Sequence, residues 1–86
     1  MKYVLIHGGG DTYRACIGIF DNANEAFGAA YLTLDESIEQ IGDPNLSISQ
    51  AERMEQDTGQ TLRIEGSDDI NEYVDIMFYN EGEDST

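Results

Sequence analysis

Three glycines follow the only histidine of the chain, and this run comes nearest to a catalytic or ligand-binding motif. His7-Gly8-Gly9-Gly10 matches the HGGG pattern that supplies a backbone N–H to an oxyanion hole. That chemistry also requires a nucleophile elbow, G-x-S-x-G, which the sequence lacks. A phosphate-binding loop would need a lysine and the start of a helix after the glycines. Here Asp11 and a predicted strand follow, so we expect the glycines to form the turn of a β-hairpin.

A cysteine and a histidine on the same predicted hairpin are a second arrangement that could support catalysis. Cys16 is the single cysteine, so an internal disulfide is excluded. A nucleophilic thiol would need the imidazole of His7 as its base. The alternative is that both are ordinary strand residues, with the cysteine buried as a small hydrophobic side chain. We favour that alternative and predict a protein that is not an enzyme.

Metal binding has little support in the sequence. A zinc site needs about four nitrogen or sulfur ligands, and one histidine and one cysteine do not supply them. Residues 66–72, GSDDINE, could hold a calcium ion weakly or form a solvated hairpin loop, and they lack the EF-hand pattern. We favour the loop and expect neither a metal ion nor another cofactor.

These residues would be positioned by strands and helices that the apolar spacing indicates. Alternation of apolar residues predicts four strands, at residues 2–7, 13–20, 60–65 and 72–79. A stripe of apolar residues at helical spacing predicts a first helix with Asp21 as its N-cap and Gly42 just after its end. Ser49 and Glu52 fit a capping box, which predicts a second helix that reaches about Thr58.

The predicted element order is ββααββ, which defines an α+β fold. We expect a four-stranded antiparallel sheet with both helices on one face, in a single small domain at residues 1–80. Residues 81–86 are predicted to be an acidic, flexible tail. In the second strand, alternation should place Ala15, Ile17 and Ile19 on one face of the sheet.

The charge of the chain restricts its partners. Eighteen acidic residues against four basic ones give a net charge of −14. Nucleic acids and anionic membranes carry the same sign, so we expect no direct binding to either. The imbalance lies late in the chain, because residues 1–34 hold three acids and two bases whereas residues 35–86 hold fifteen acids and two bases. No segment has the composition of a signal peptide or a membrane span, so the cytoplasm is the expected compartment.

Carboxylates in the later part of the chain could form a binding surface. Rows of carboxylates about 5–7 Å apart, the spacing that helix turns and alternate strand positions supply, can imitate the phosphates of DNA. Tyr73 and Tyr79 would add apolar anchors, because the centres of interfaces favour aromatic side chains. The predicted partner-binding residues are Glu52, Glu55, Asp57, Glu65, Asp68, Asp69, Glu72, Tyr73, Asp75 and Tyr79.

Small size, strong negative charge and the lack of a catalytic motif resemble the phage-encoded inhibitors that mimic DNA, which include anti-CRISPR proteins. Residues 54–66, MEQDTGQTLRIEG, are also similar to the helix-to-strand opening of the uracil-DNA glycosylase inhibitor. The class resemblance implies a protein that occupies a nucleic-acid-binding groove of a host protein in the cytoplasm of a bacterial host. Members of this class have unrelated folds, so no binding residue is transferred by position.

Two functions from different classes follow from these observations. The first is a non-enzymatic acidic inhibitor that binds the basic groove of a nucleic-acid-binding protein, most specifically an anti-CRISPR protein that mimics DNA toward a CRISPR effector complex. The alternative is a small structural or regulatory homodimer whose charge serves solubility.

Overall fold

The fold is one antiparallel sheet with a long helix packed on one of its faces. A computed structural model describes residues 2–9, 13–50, 59–67 and 69–79. In chain order the elements are β1 (Lys2–Gly9), β2 (Tyr13–Phe20), α1 (Ala23–Ile41), β3 (Ser47–Gln50), β4 (Gly59–Glu65) and β5 (Glu72–Tyr79). The sheet order is β2-β1-β5-β4-β3, and each neighbouring pair is antiparallel. The first and last long strands of the chain, β1 and β5, therefore lie side by side near its centre.

The prediction of four strands and two helices is wrong, because the described residues form five strands and one helix. Ser49 lies inside β3 and is not the N-cap of a second helix. Its neighbour Ile48 packs against the core and lies opposite Ile64 of β4. Burial of Ile48 together with pairing to β4 thus outweighs the local capping-box signal. Residues 51–58, the rest of the predicted helix, lie outside the described residues.

Helix α1 is capped by a side chain at its N-terminus and by a glycine at its C-terminus. Asn22, rather than the predicted Asp21, is the N-cap, and its side-chain oxygen accepts hydrogen bonds from the N–H groups of Asn24 and Glu25. Gly42 has a φ of 79°, in the left-handed region, and its N–H donates to the carbonyl of Ile38. The predicted end of the helix is confirmed.

The hydrophobic core lies between α1 and the sheet. Small side chains of the helix, Ala26 and Ala30, are fully buried and let its backbone approach the strands closely. Further along, Leu34 continues the buried stripe. The strands contribute Leu5, Leu62, Ile64, Val74 and Ile76, and Leu46 closes the core after the helix. We call the sheet face that contacts α1 the helix face and the opposite one the far face.

The first hairpin differs from its predicted pattern in two ways. Gly8 and Gly9 lie within β1 rather than in the turn, while residues 10–12 lie outside the described part. The register between β1 and β2 shifts between Leu5 and Ile6, which leaves Ile17 as a bulged residue. The bulge moves Ile19 to the far face whereas Ala15 stays on the helix face, so the prediction of one shared face was wrong.

The bounds of the remaining strands follow the sequence closely. Strand β2 has the predicted ends, and so does β5. Strand β4 begins one residue before the prediction, and β1 extends two residues further. The predicted acidic tail at residues 81–86 lies outside the described residues. In the part of the chain that the structure describes, no helix is long and apolar enough to cross a membrane.

Candidate partner-binding surfaces

An aromatic and ionic cluster occupies the far face of the sheet. Tyr73 lies between Gly8 and Arg63 in the strand register. A Cβ atom on Gly8 would lie 2.3 Å from Cζ of Tyr73, so glycine provides the space for the tyrosine ring. The hydroxyl of Tyr73 accepts a hydrogen bond of 3.2 Å from Nη1 of Arg14. These contacts hold the ring across β1, half-buried.

Asp75, one of the predicted binding residues, is buried in this cluster. Its residue exposure is 8%. The hydroxyl of Thr61 donates to Oδ1 at 2.7 Å, and Nη2 of Arg14 lies 3.6 Å from Oδ2. The side chain of Arg14 is largely exposed, whereas that of Asp75 is nearly buried. The ion pair therefore joins an exposed guanidinium to a carboxylate within the sheet. The carboxylate of Asp75 therefore already has partners within the fold and contributes little to the outer acidic surface.

The other predicted residues fall on separate parts of the surface. Tyr79 is 51% exposed, and lies at the end of β5 opposite Lys2 on the far face. Glu65 is exposed at the end of β4, and Asp69 is exposed in the turn before β5. The N–H of Asp69 donates to Oγ of Ser67, which shapes that turn. Four predicted binding residues, Glu52, Glu55, Asp57 and Asp68, lie outside the described residues.

Glu72 contacts the histidine that the sequence singled out. Nε2 of His7 lies 3.2 Å from Oε2 of Glu72, and both side chains are partly buried on the helix face. They line a cavity of about 410 Å³ with Ile41, Ile70 and others. Cys16 lies opposite Ile6, on the far face, so the thiol and the imidazole project from opposite sides of the sheet. The Cys–His pair considered from the sequence does not form.

The basic residues are segregated from most of the acids. Lys2, Arg14 and Arg63 all belong to the far-face positions of their strands. Lys2 pairs with Asp21, and this hydrogen bond holds the pKa of that carboxyl below its usual range. Because the pKa of Asp21 is lower in the folded than in the unfolded chain, this ion pair stabilises the fold at pH values above the unfolded pKa. The stabilisation is lost as the pH falls through the folded pKa. The remaining base of the chain, Arg53, lies outside the described residues.

The outward side of α1 carries a second surface, on which acids lie beside two exposed apolar side chains and no base is present. We define the acidic helix surface as Tyr31, Leu32, Asp35, Glu36 and Glu39, all of which are exposed. Glu39 lies four residues after Asp35 and three after Glu36, so its carboxylate neighbours both of theirs on the helix. Within the described residues none of the three forms an ion pair.

None of the five residues of this surface is among the partner-binding residues predicted from the sequence. Tyr31 belongs to the stripe of apolar residues from which the first helix is predicted, yet it is 38% exposed. Leu32 is 59% exposed and lies four residues before Glu36, on the same side of the helix. The helical spacing alone could have found Leu32, because it falls outside the buried stripe and among the acids.

Helix polarity adds to the negative potential of this surface. The last turn of α1 contains no basic residue, and Glu39 lies in that turn. The C-terminal end of a helix carries a partial negative charge, so acids there repel it instead of complementing it. At Glu39 the acidic helix surface thus reaches the end of α1 that carries the partial negative charge of the backbone.

Neither similarity to a known protein nor a metal-binding group among the described residues assigns a function to these surfaces. Among the described residues, no three or more histidine, cysteine or acidic side chains form a group that could hold a metal ion. The chain matches no protein-family model, no curated protein and no solved structure.

Proposed function

We propose that the chain is a non-enzymatic inhibitor that binds the basic groove of a nucleic-acid-binding protein through the acidic helix surface. The observation that carries the proposal is the cluster of Asp35, Glu36 and Glu39, which are exposed and form no ion pair within the described residues. Three neighbouring carboxylates resemble a short track of phosphates. Arginine and lysine side chains that hold DNA in a groove would be attracted to this surface.

The placement of these acids argues for a role beyond solubility. Like charges three or four residues apart destabilise a helix, and acids near its C-terminus oppose the helix dipole. Solubility would be served equally by acids at the N-terminal turn, where Glu25 complements the dipole. A binding role gives a reason for acids at positions that oppose helix stability.

Exposed apolar side chains next to the acids complete an interface. Tyr31 and Leu32 lie one turn before Asp35 and Glu36. The centres of interfaces favour aromatic and apolar side chains, whereas their rims are polar. The predicted anchors lie elsewhere, because Tyr73 is half-buried in contact with Arg14 and Tyr79 lies on the far face. Tyr31 and Leu32 are instead the apolar side chains next to the acids of α1.

The most specific form of the proposal is an anti-CRISPR protein. A CRISPR effector complex holds its nucleic acids in a positively charged channel and recognises their backbone geometry. A rigid acidic helix could occupy such a channel and exclude DNA. The negative charge of the chain and the acidic helix surface would suit other basic grooves equally well. The target therefore has to be identified by experiment.

The test is affinity capture on the immobilised chain from a bacterial lysate that contains CRISPR effectors, at low and moderate salt. We expect a nucleic-acid-binding protein to be retained at low salt and released both by added duplex DNA and by salt. Retention that is indifferent to DNA and salt, or no retention at all, would contradict the proposal.

Variants locate the binding surface. The triple variant D35N/E36Q/E39Q removes three negative charges from the acidic helix surface and should lose the captured protein. The matched control, E25Q/S47K/Q50K, changes the net charge equally at exposed positions elsewhere and should retain it. Equal loss in both would show that net charge alone, and not this surface, governs retention.

A further inference from the structure

Strand β2 is an eight-residue edge strand. Among the described strands it pairs with β1 alone, so the backbone groups on its other side have no strand partner there. Edge strands usually carry proline, several charges or a short length that prevents pairing with another chain. β2 has no proline and one charged residue, Arg14. The opposite edge strand, β3, has only four residues.

Apolar side chains of β2 are exposed. Ile17 is 37% exposed and Ile19 is 63% exposed. The exposure of both side chains follows from the bulge, which leaves Ile17 without a partner in β1 and places Ile19 on the far face. The edge of the sheet thus combines backbone groups that no other described strand pairs with and apolar surface, which is the combination that strand addition uses.

The charge along β2 identifies the partner that fits. Residues 13–20 contain no acidic residue in a chain with a net charge of −14. Two copies of the chain repel each other over most of their surface, and this strand is a place where they can approach without opposing carboxylates. A basic protein would be drawn to the acidic helix surface instead.

We propose that the chain forms a two-fold symmetric dimer in which β2 pairs antiparallel with β2 of a second copy. Antiparallel pairing of one strand with itself is isologous, so the assembly closes at two copies. It would join the two sheets into one and cover Ile17 and Ile19. The paired segment is roughly 27 Å long at most, and the bulge shortens it, so the interface lies at the small end of the usual range. This inference is independent of the proposed function.

Sedimentation velocity over a range of protein concentrations tests the dimer. We expect the mass to rise with concentration from that of the 9.5 kDa chain toward twice that value. Ile19→Glu places a carboxylate in the interface and should weaken the dimer at least tenfold. Leu32→Glu makes the same change at a position of similar exposure on α1 and should leave the dimer unchanged.

A second measurement locates the interface without a substitution. Hydrogen exchange of the amides in β2 should slow as the wild-type concentration rises, while exchange in α1 stays constant. A wild-type chain that stays monomeric, or a dimer whose β2 amides exchange at the monomer rate, would overturn the proposal. If Ile19→Glu fails to fold, the exchange result decides alone.

The two proposals fail in different experiments. Ile19→Glu should retain the captured nucleic-acid-binding protein and lose the dimer. D35N/E36Q/E39Q should keep the dimer and weaken capture, because it removes the carboxylates of the acidic helix surface.

Discussion

At the scale of single residues, the far face shows how a charged side chain becomes part of the fold. Asp75 accepts a hydrogen bond from the hydroxyl of Thr61 and forms an ion pair with Arg14. The sequence places an acid at an alternate position of β5 and predicts exposure, since nothing local reveals the neighbours. Only the pairing of β5 with β1 and β4 brings Arg14 and Thr61 to it. Burial of Asp75 was therefore beyond prediction from the sequence.

Asp75→Ala should lower the free energy of unfolding by about 1 kcal/mol, because it leaves the partly buried hydroxyl of Thr61 without its acceptor. Asp75→Asn keeps an oxygen for that hydroxyl and should cost clearly less. Urea denaturation of the two variants measures the difference. Equal losses of stability in the two variants would mean that Asp75 stabilises the fold through its charge next to Arg14 and not through the hydrogen bond.

At the scale of elements, the sequence predicts those segments whose local signals agree with their tertiary surroundings. Strands β2 and β5 and the end of α1 at Gly42 have their predicted bounds. β3 was missed because Ser49 fits a helix cap locally, and pairing with β4 decides the outcome. The bulge at Ile17 was missed because it depends on the register between two strands. The separation of basic and acidic surfaces depends on that register as well.

The end of α1 gives a prediction in which binding and stability oppose each other. Glu39→Gln should raise the free energy of unfolding by about 0.5–1 kcal/mol, because it removes repulsion from Asp35, Glu36 and the helix dipole. Glu25→Gln, in the first turn, should lower it by a few tenths of a kcal/mol for the opposite reason. Urea denaturation at low salt measures both. A loss of stability in both variants would contradict the electrostatic account of the acidic helix surface.

At the scale of the whole molecule, charge couples stability and assembly to salt. Repulsion within a chain of net charge −14 destabilises its compact state, and salt screens that repulsion. The same screening should strengthen the β2 dimer, whose two copies repel, and weaken a complex with a basic partner. The sign of the salt effect thus distinguishes the two assemblies.

We predict that the urea concentration at the midpoint of unfolding rises as sodium chloride is increased from about 20 mM to about 500 mM. Potassium chloride serves as a control for specific binding of sodium and should give the same shift. An unchanged or falling midpoint would show that the acids are well separated or neutralised in the folded chain.

The central claim is tested most directly by the dissociation constant of the complex between the chain and a purified DNA-binding CRISPR effector. Competition against labelled duplex DNA, followed by fluorescence anisotropy, measures it for the wild type, D35N/E36Q/E39Q and the matched control. The account predicts displacement of DNA by the wild type and the control, and about tenfold or greater weakening in the triple variant. A triple variant that displaces DNA as well as the wild type would contradict it.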